Sequence, residues 1–470
     1  MLAWFMTTAV AWGAPADDLT DLAALLEAAH PTLDAPALRE AVQREMPGLD
    51  ALPGDPRDAE LAFGAAVSRV VASLGDAHVY VGLPMMQPQA TIEPALLPVL
   101  VRTVEGQVLL DAATFPFDPG TALIAIDDVP IQTIFDEART LVAADGRDPT
   151  AIRRALDYDL PRYYALTRGM ASDYVLTLVL PDGSRVLREV PAAGRAEART
   201  MQTSRHSATW WGSGEPTPRL AWSGTVAVLT MASFGAQDMD GYARAVDGLM
   251  AGIPAGAPIV VDLRGNQGGY RPNANALLRH LVDGTFAEWT SMRTSTRRIP
   301  RRWRGRLQFP FGTDRERLRD FERSPDGFVF DGDPLQMQGV GTHLGPLVLL
   351  VDARTGSAAN GFVLMVRNYR PDAHIVGESL GGACDRHVGE LPVVWTGEDS
   401  GVVVMFSLIE AMHLAVPGCT PGRGLAPDHA VELNIEQFAG SEDPWMEVAL
   451  RLVAPTTALD GTGGVDDSTD

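Results

Sequence analysis

The 470-residue chain contains no lysine, so all 38 of its basic residues are arginines. Arginine keeps its proton in proteins, which excludes any mechanism that needs a side-chain amine as base or nucleophile. Cysteine is nearly as scarce, with two in the chain, and neither C-x-x-C nor H-E-x-x-H occurs. No zinc-type motif is therefore present and no metal is expected. The G-x-G-x-x-G of dinucleotide-binding folds is also missing, and no cofactor is implied. Positive charge is outnumbered, 38 residues against 60 acidic ones, for a net charge of −22. Such a surface repels phosphate backbones and argues against a nucleic-acid partner. No apolar run reaches the ~18 residues needed to span a bilayer. What remains, 46% apolar and 21% charged residues, is the composition of a globular protein, long enough for about three domains.

The first residues, MLAWFMTTAVAWGAPADD, are apolar or small up to Trp12, and Ala11-Trp12-Gly13 offers a small-x-small cleavage site. Residues 1–14 are expected to be a secretory signal peptide, placing the mature chain in the periplasm or outside the cell. In such an oxidising compartment Cys384 and Cys419 could pair, worth on the order of 3–4 kcal/mol, or remain two buried thiols. The polar, acidic end, residues 456–470, is expected to be a disordered tail.

Between these ends the pattern changes twice. Leu19, Leu22, Leu25 and Leu26, then Leu38, Val42 and Met46, recur at helical spacing, predicting a helical subdomain over 15–92. Over 95–192 short strand-like runs (Val99–Val101, Val108–Leu110, Leu123–Ile126) surround turns at Asp118-Pro119-Gly120 and Pro181-Asp182-Gly183, with a helix near 131–144. The phrase FDPGTALIAIDDVPI resembles the core of PDZ domains, which bind extended peptides by strand addition. Over 200–450 strands at 225–231, 258–263 and 346–352 alternate with helices at 273–282 and 357–368. That order predicts an α/β fold with a mostly parallel sheet. Seven arginines between Arg293 and Arg306 form either a solvated surface or a holder for a substrate carboxylate.

Three segments carry reactive groups. Asp262-Leu263-Arg264-Gly265-Asn266-Gln267-Gly268-Gly269 follows a strand, and its glycines let backbone N–H groups face the space above the sheet. Thr355-Gly356-Ser357-Ala358-Ala359-Asn360 places a serine where a strand ends and a helix begins. Such a serine is commonly only an N-cap, yet the helix N-terminus also favours developing negative charge there. Gly75-Asp76-Ala77-His78 offers one of nine histidines.

In this order, with VLTMASF at 228–234, Ile375-Val376-Gly377-Glu378 before Gly381, and Gly424-Leu425-Ala426-Pro427-Asp428, the segments resemble the tail-specific, or C-terminal-processing, serine peptidase family over roughly residues 60–440. The resemblance implies a crotonase/ClpP-like ββα core joined to a PDZ-like module and a peptide-hydrolysing activity. Carried over, it makes Ser357 the nucleophile and the N–H groups of Ala358 and of Gly268 or Gly269 the oxyanion hole. One branch of the family uses a lysine base where this chain reads Gly381-Gly382-Ala383, and a lysine-free chain cannot follow it. The other branch, typified by the tricorn core, uses a histidine, which His78 matches. Neutral His78 would take the Ser357 proton and return it to the leaving amine. The implied partners are polypeptides, unfolded or with exposed C-termini.

The chain departs from the family at three places. Asn360 stands where glutamate is usual, Ala77 where the tricorn core has serine, and Pro421 where it has the glutamate before its G-x-x-P-D segment. The group that orients His78 is accordingly open between Asp76 and Glu378. An endopeptidase is the leading expectation. A weakened or inactive binding protein on the same scaffold is the alternative, and a crotonase-like acyl-CoA enzyme a third, opposed by the leader.

Overall fold

The computed structural model describes residues 15–453 except 33, 89, 91, 92, 205–216, 311–314, 326, 331–335 and 441. The leader at 1–14 and the tail at 456–470 lie outside the described residues.

Three helices open the described chain: α1 (Pro15–Ala29), α2 (Ala35–Leu49) and α3 (Pro56–Ala72). Asp34 and Asp55 cap the second and third, accepting from Ala37 N and from Arg57 and Asp58 N. A proline in the first turn of each, where an N–H would be orphaned anyway, completes the start signal. Leu19, Leu22 and Leu26 share one core with Phe63 and Val70, and also with Trp395, Val404, Phe406 and Leu408 from far along the chain. After α3 the chain runs through His78 into β1 (Tyr80–Gly82), which pairs antiparallel with Val403–Met405. The N-terminal helices thus form a layer over the C-terminal half.

Next come β2 (Val99–Val104), β3 (Gln107–Ala113), β4 (Ala122–Ile126), β5 (Val129–Pro130), α4 (Ile131–Ala138), α5 (Pro149–Arg168), β6 (Asp173–Val179), β7 (Arg185–Pro191) and α6 (Arg195–Ser204). The strands form an antiparallel sheet in the order β2-β3-β4-β6-β7, with β5 on β4. Helices α4 and α5 cover one face through Phe135, Leu156 and Leu160, packed with Leu110, Ile126 and Leu176. α5 had no counterpart in the sequence reading: Asp159, at φ −128°, and Pro161 interrupt its periodicity.

The remaining chain passes through β8 (Arg219–Ser223), β9 (Val226–Thr230), α7 (Met239–Ala251), β10 (Ile259–Asp262), α8 (Arg271–Leu281), β11 (Asp283–Phe286) and β12 (Trp289–Thr294). It continues through β13 (Glu322–Ser324), β14 (Gly327–Phe330), β15 (Met337–Val340), β16 (Leu347–Val351), α9 (Ala358–Tyr369) and β17 (His374–Gly377). β18 (Arg386–Thr396), β19 (Val403–His413), β20 (His429–Ala430), α10 (Ile435–Ala439) and α11 (Pro444–Val453) complete it.

Strands β20-β17-β16-β10-β9 run parallel in that order, with β8 antiparallel at the edge. Successive side chains of a strand face opposite ways. Ile259, Val261, Leu349 and Val351 therefore pack on Val246, Leu277 and Phe362 from α7, α8 and α9. Val260, Val348, Leu350 and Val376 pack on Trp445, Ala449 and Val453 of α11. Burial on both faces explains the unbroken apolar runs, and the α/β class is as the sequence implied. A second sheet, β1-β19-β12-β14-β13 with β18 on β19, lies against the N-terminal helices.

Candidate active site

β10 and β16 are adjacent and in parallel register, so the turns that follow them meet above one end of the sheet. Three bonds stitch the turns together. Thr355 Oγ1 donates to the Leu263 carbonyl (3.0 Å), Gly356 N to the Asn266 carbonyl (3.1 Å), and Gly265 N to Asp352 Oδ1 (2.9 Å). Ser357 then occupies the N-cap position of α9 at φ 49°, ψ −125°. Side chains other than glycine rarely hold such a conformation, and it costs about 1–3 kcal/mol. The Ser357 side chain makes no cap hydrogen bond, so the structural role usual for a serine here is not the one it performs.

Gly268, at φ +95°, lies directly against this turn. A Cβ on it would come within 2.7 Å of both Ser357 Cβ and Ala358 N, so glycine is required for closeness as well as for conformation. The Ala358 N–H begins the helix, where backbone donors lack intrahelical acceptors. The two glycines expected to share the oxyanion role differ. Gly268 N–H is donated to Asn266 Oδ1 at 2.8 Å, a bond that would compete with a developing oxyanion.

His78 is half-buried, and neither ring nitrogen has a hydrogen-bond partner among the described residues. Asp76 holds its segment: Asp76 Oδ1 accepts the His78 backbone N–H at 2.7 Å and stands 3.7 Å from Nδ1. That second distance is too long for a hydrogen bond but short enough for charge pairing. Asp76 is itself buried, and its other oxygen contacts His30 Nε2 at 3.0 Å. Burial pushes the Asp76 carboxyl up, but His30 and His78 outweigh it and hold it well below the usual carboxylate range. For His78, burial opposes protonation, while Asp76 and then Asp145 favour it and carry its pKa above the ordinary value. A Cβ on Gly389 would lie 3.1 Å from His78 Nε2, so that nitrogen faces bare backbone.

The histidine and the serine border the same short segment, 381–384. Asp145 accepts from Ala77 N at 2.8 Å and from Ala383 N at 3.0 Å. The Ala383 carbonyl accepts from Asn360 Nδ2 at 2.9 Å, three residues past Ser357. On the other side Gly381 N donates to the Thr355 carbonyl. A Cys384–Cys419 disulfide closes the segment's end.

Of the two carboxylates considered for orienting the imidazole, the structure brings only Asp76 to it. Glu378 is bound by Arg102 (3.0 Å), by Arg154 and by Ala353 N (3.3 Å), where the 99–191 sheet meets the core. These partners hold it below its ordinary pKa although burial alone would raise it. In the arginine-rich stretch, Arg297, Arg298 and Arg304 join Arg315 and Arg319 around a surface cavity of ≈ 330 Å³, and Arg306 pairs with Asp21 and Glu398. Sequence reasoning missed Asp145 and His30. Neither sits in a motif, and their roles come from contacts spanning 68 and 46 positions.

Two groups of side chains bring metal-ligating atoms within 4.8 Å of one another: Asp76, His78 and Asp145, and Glu288, His387 and His413. Among the described residues no helix is long and apolar enough to cross a membrane.

Residues 225–391 match the family model described as peptidase family S41. No curated protein matches the chain. Among solved structures, mature CPAF is similar at 14% identity over 93% of this chain and 95% of that one, with a TM-score of 0.59. Mature CPAF complexed with lactacystin aligns at 15% identity over 93% and 97%, TM-score 0.60. At these identities the likeness is one of fold. A photosystem II D1 C-terminal processing protease aligns at 14% identity over 95% and 99%, with a TM-score of 0.44.

Proposed function

Through residues 225–391 the chain belongs to peptidase family S41, a family of serine peptidases, and from that premise we propose that it cleaves peptide bonds through an acyl-enzyme on Ser357 with His78 as base. The observation that carries this reading is the turn at Ser357: a serine at φ 49° whose side chain leaves the helix uncapped and against which Gly268 packs without a side chain. Asp76 favours a proton on His78 Nδ1, leaving Nε2 to accept one. As Ser357 Oγ bonds to the substrate carbonyl carbon, its proton passes to Nε2. The carbonyl oxygen gains charge against the N–H groups of Ala358 and Gly269, each such donor worth about 3 kcal/mol at the transition state. Collapse breaks the C–N bond, Nε2 protonates the leaving amine, and water repeats the cycle to release the acid.

The finer readings belong to the same proposal. The 99–191 sheet with its two helices is a PDZ-like module that would present an extended chain along an exposed edge. The alternation of β9, β10, β16 and β17 with α7, α8 and α9 is a crotonase/ClpP-like core. The substrates would then be unfolded or C-terminally exposed polypeptides cleaved internally. Export suits both the 1–14 leader and a disulfide, which an oxidising compartment preserves.

The inactive-scaffold alternative rested on Asn360. Its amide ties α9 to Ala383, a structural job that does not require a lost activity. The test is digestion of an unfolded protein such as reduced casein. The wild type should cleave it, and Ser357→Ala and His78→Ala should each lose about 10³-fold or more. Undiminished cleavage by Ser357→Ala would overturn the assignment, whereas binding without cleavage by the wild type would favour the scaffold reading.

A further inference from the structure

Beside the candidate base lies a cluster for which peptide hydrolysis has no use. Glu288, at the entrance to β12, and His387 and His413, on β18 and β19, are each less than a tenth exposed. Their ligand-type atoms lie within 4.8 Å of one another. His387 Nδ1 stands 3.3 Å from His413 Nε2. Two nitrogens held at ~2.0–2.1 Å by one tetrahedral zinc ion are about 3.3 Å apart, so this pair is already at ligand spacing. His387 turns its other nitrogen, Nε2, to Glu390 Oε1 at 3.0 Å. Metal-bound histidines use such an outer carboxylate to fix their tautomer. One carboxylate atom remains over: Glu288 Oε2 is buried without a hydrogen-bond partner among the described residues.

One cationic side chain, Arg271, already faces the cluster. Burial, His413 and Arg271 keep His387 well below its ordinary pKa, and burial brings His413 to about 4. Burial pushes the Glu288 carboxyl up, with Arg271 only partly opposing it. Arg271 is the cationic group facing the cluster, 3.5 Å from Glu288 Oε2, but it also contacts Glu390, as does Arg317 at 3.3 Å. Glu390 thus engages the guanidiniums from outside the ligand set and leaves Glu288 able to serve an ion.

We propose that Glu288, His387 and His413 form a binding site for a zinc-class dication, with Glu390 as the residue positioning His387 and a fourth coordination position open to water. The site adjoins both halves of the candidate catalytic pair. The His387 ring is 6.2 Å from the His78 ring, and a Cβ on Gly361, in the first turn of α9, would lie 2.5 Å from Glu288 Oε1. The ligands come from three separate stretches of chain, so no local motif announces them. Without an ion the same atoms form a hydrogen-bonded relay from Glu390 through His387 to His413.

The two states are separated by titrating chelator-stripped, full-length protein with Co²⁺, followed optically and by displacement with Zn²⁺. The proposal expects a single tetrahedral-type visible band that zinc removes. Glu288→Gln and His413→Gln should weaken binding at least about tenfold, and Glu390→Gln by about 10–100-fold. His78→Ala should leave it unchanged, which distinguishes this site from the Asp76, His78 and Asp145 group. A folded wild type that shows no band and takes up no zinc at about 1 mM overturns the proposal. So does binding that survives Glu288→Gln and His413→Gln, or that disappears with His78→Ala. The wild-type titration decides by itself if a substituted chain does not fold.

Discussion

Replacing Asp76 by asparagine removes the negative charge 3.7 Å from His78 Nδ1. At an effective dielectric constant of ~20, unit charges at that separation attract by about 4.5 kcal/mol. Burial already opposes protonation of His78, and Asp145 continues to favour it. The pKa of His78 should therefore fall. The sign matters. A His78 pKa raised above the ordinary value means that wild-type reactivity appears as pH climbs through a point above ~6.5, because the base must be neutral. In Asp76→Asn that limb moves to lower pH, while the plateau falls by about 10²–10⁴-fold because the imidazolium that forms in the transition state no longer faces a negative charge. The assay is the second-order rate of labelling by a fluorophosphonate between pH 4.5 and 9, with folding checked by near-ultraviolet circular dichroism. An acid limb within ~0.3 unit of wild type, on an unchanged plateau, would refute the role given to Asp76.

Gly268→Ala should lower labelling about 10²-fold and stability by about 1–3 kcal/mol, since its Cβ meets Ser357 and Ala358 at 2.7 Å and its φ is +95°; a urea melt and the labelling rate check both. Glu60 accepts from Met85 N and burial raises its carboxyl to about 7. The folded chain then keeps a proton that the unfolded chain releases near 4.5, and wild type loses up to about 3 kcal/mol as pH rises between those values. Glu60→Gln should thus be more stable than wild type at pH 8 and lose that advantage by pH 4, read from urea midpoints. Paired Cys384→Ala and Cys419→Ala should cost about 4 kcal/mol, from a loop with a separation of 35 residues. Equal midpoints for oxidised wild type and the double substitution would count against the bridge.

The parallel sheet was legible because strands buried on both faces must be apolar throughout, as Leu347–Val351 is. Ser357 and the 262–269 turn stood out through their place after such strands and their order along the chain, since a serine there is by itself commonly an N-cap. The layering of the N-terminal helices was not legible. The apolar faces of Leu19 and Leu22 predict burial but do not say that Phe406 and Trp395 will cover them. The surroundings of His78 were half legible. Asp76 lies two residues away and could be named, whereas Asp145 reaches Ala77 from a loop without a motif. Glu378 had the right chemistry in the right family segment, yet two arginines from the 99–191 module bind it instead. The motif alone could not distinguish Gly268 from Gly269, because the Asn266 side chain whose oxygen takes the Gly268 amide is a contact made only on folding.

The most direct measurement is mass-spectrometric mapping of the fluorophosphonate adduct on the folded, full-length protein. A single phosphonyl group on Ser357, formed by the wild type and absent from His78→Ala, is the expected result. An adduct on any other residue, or equal modification of Ser357 when His78 is replaced, would contradict the account.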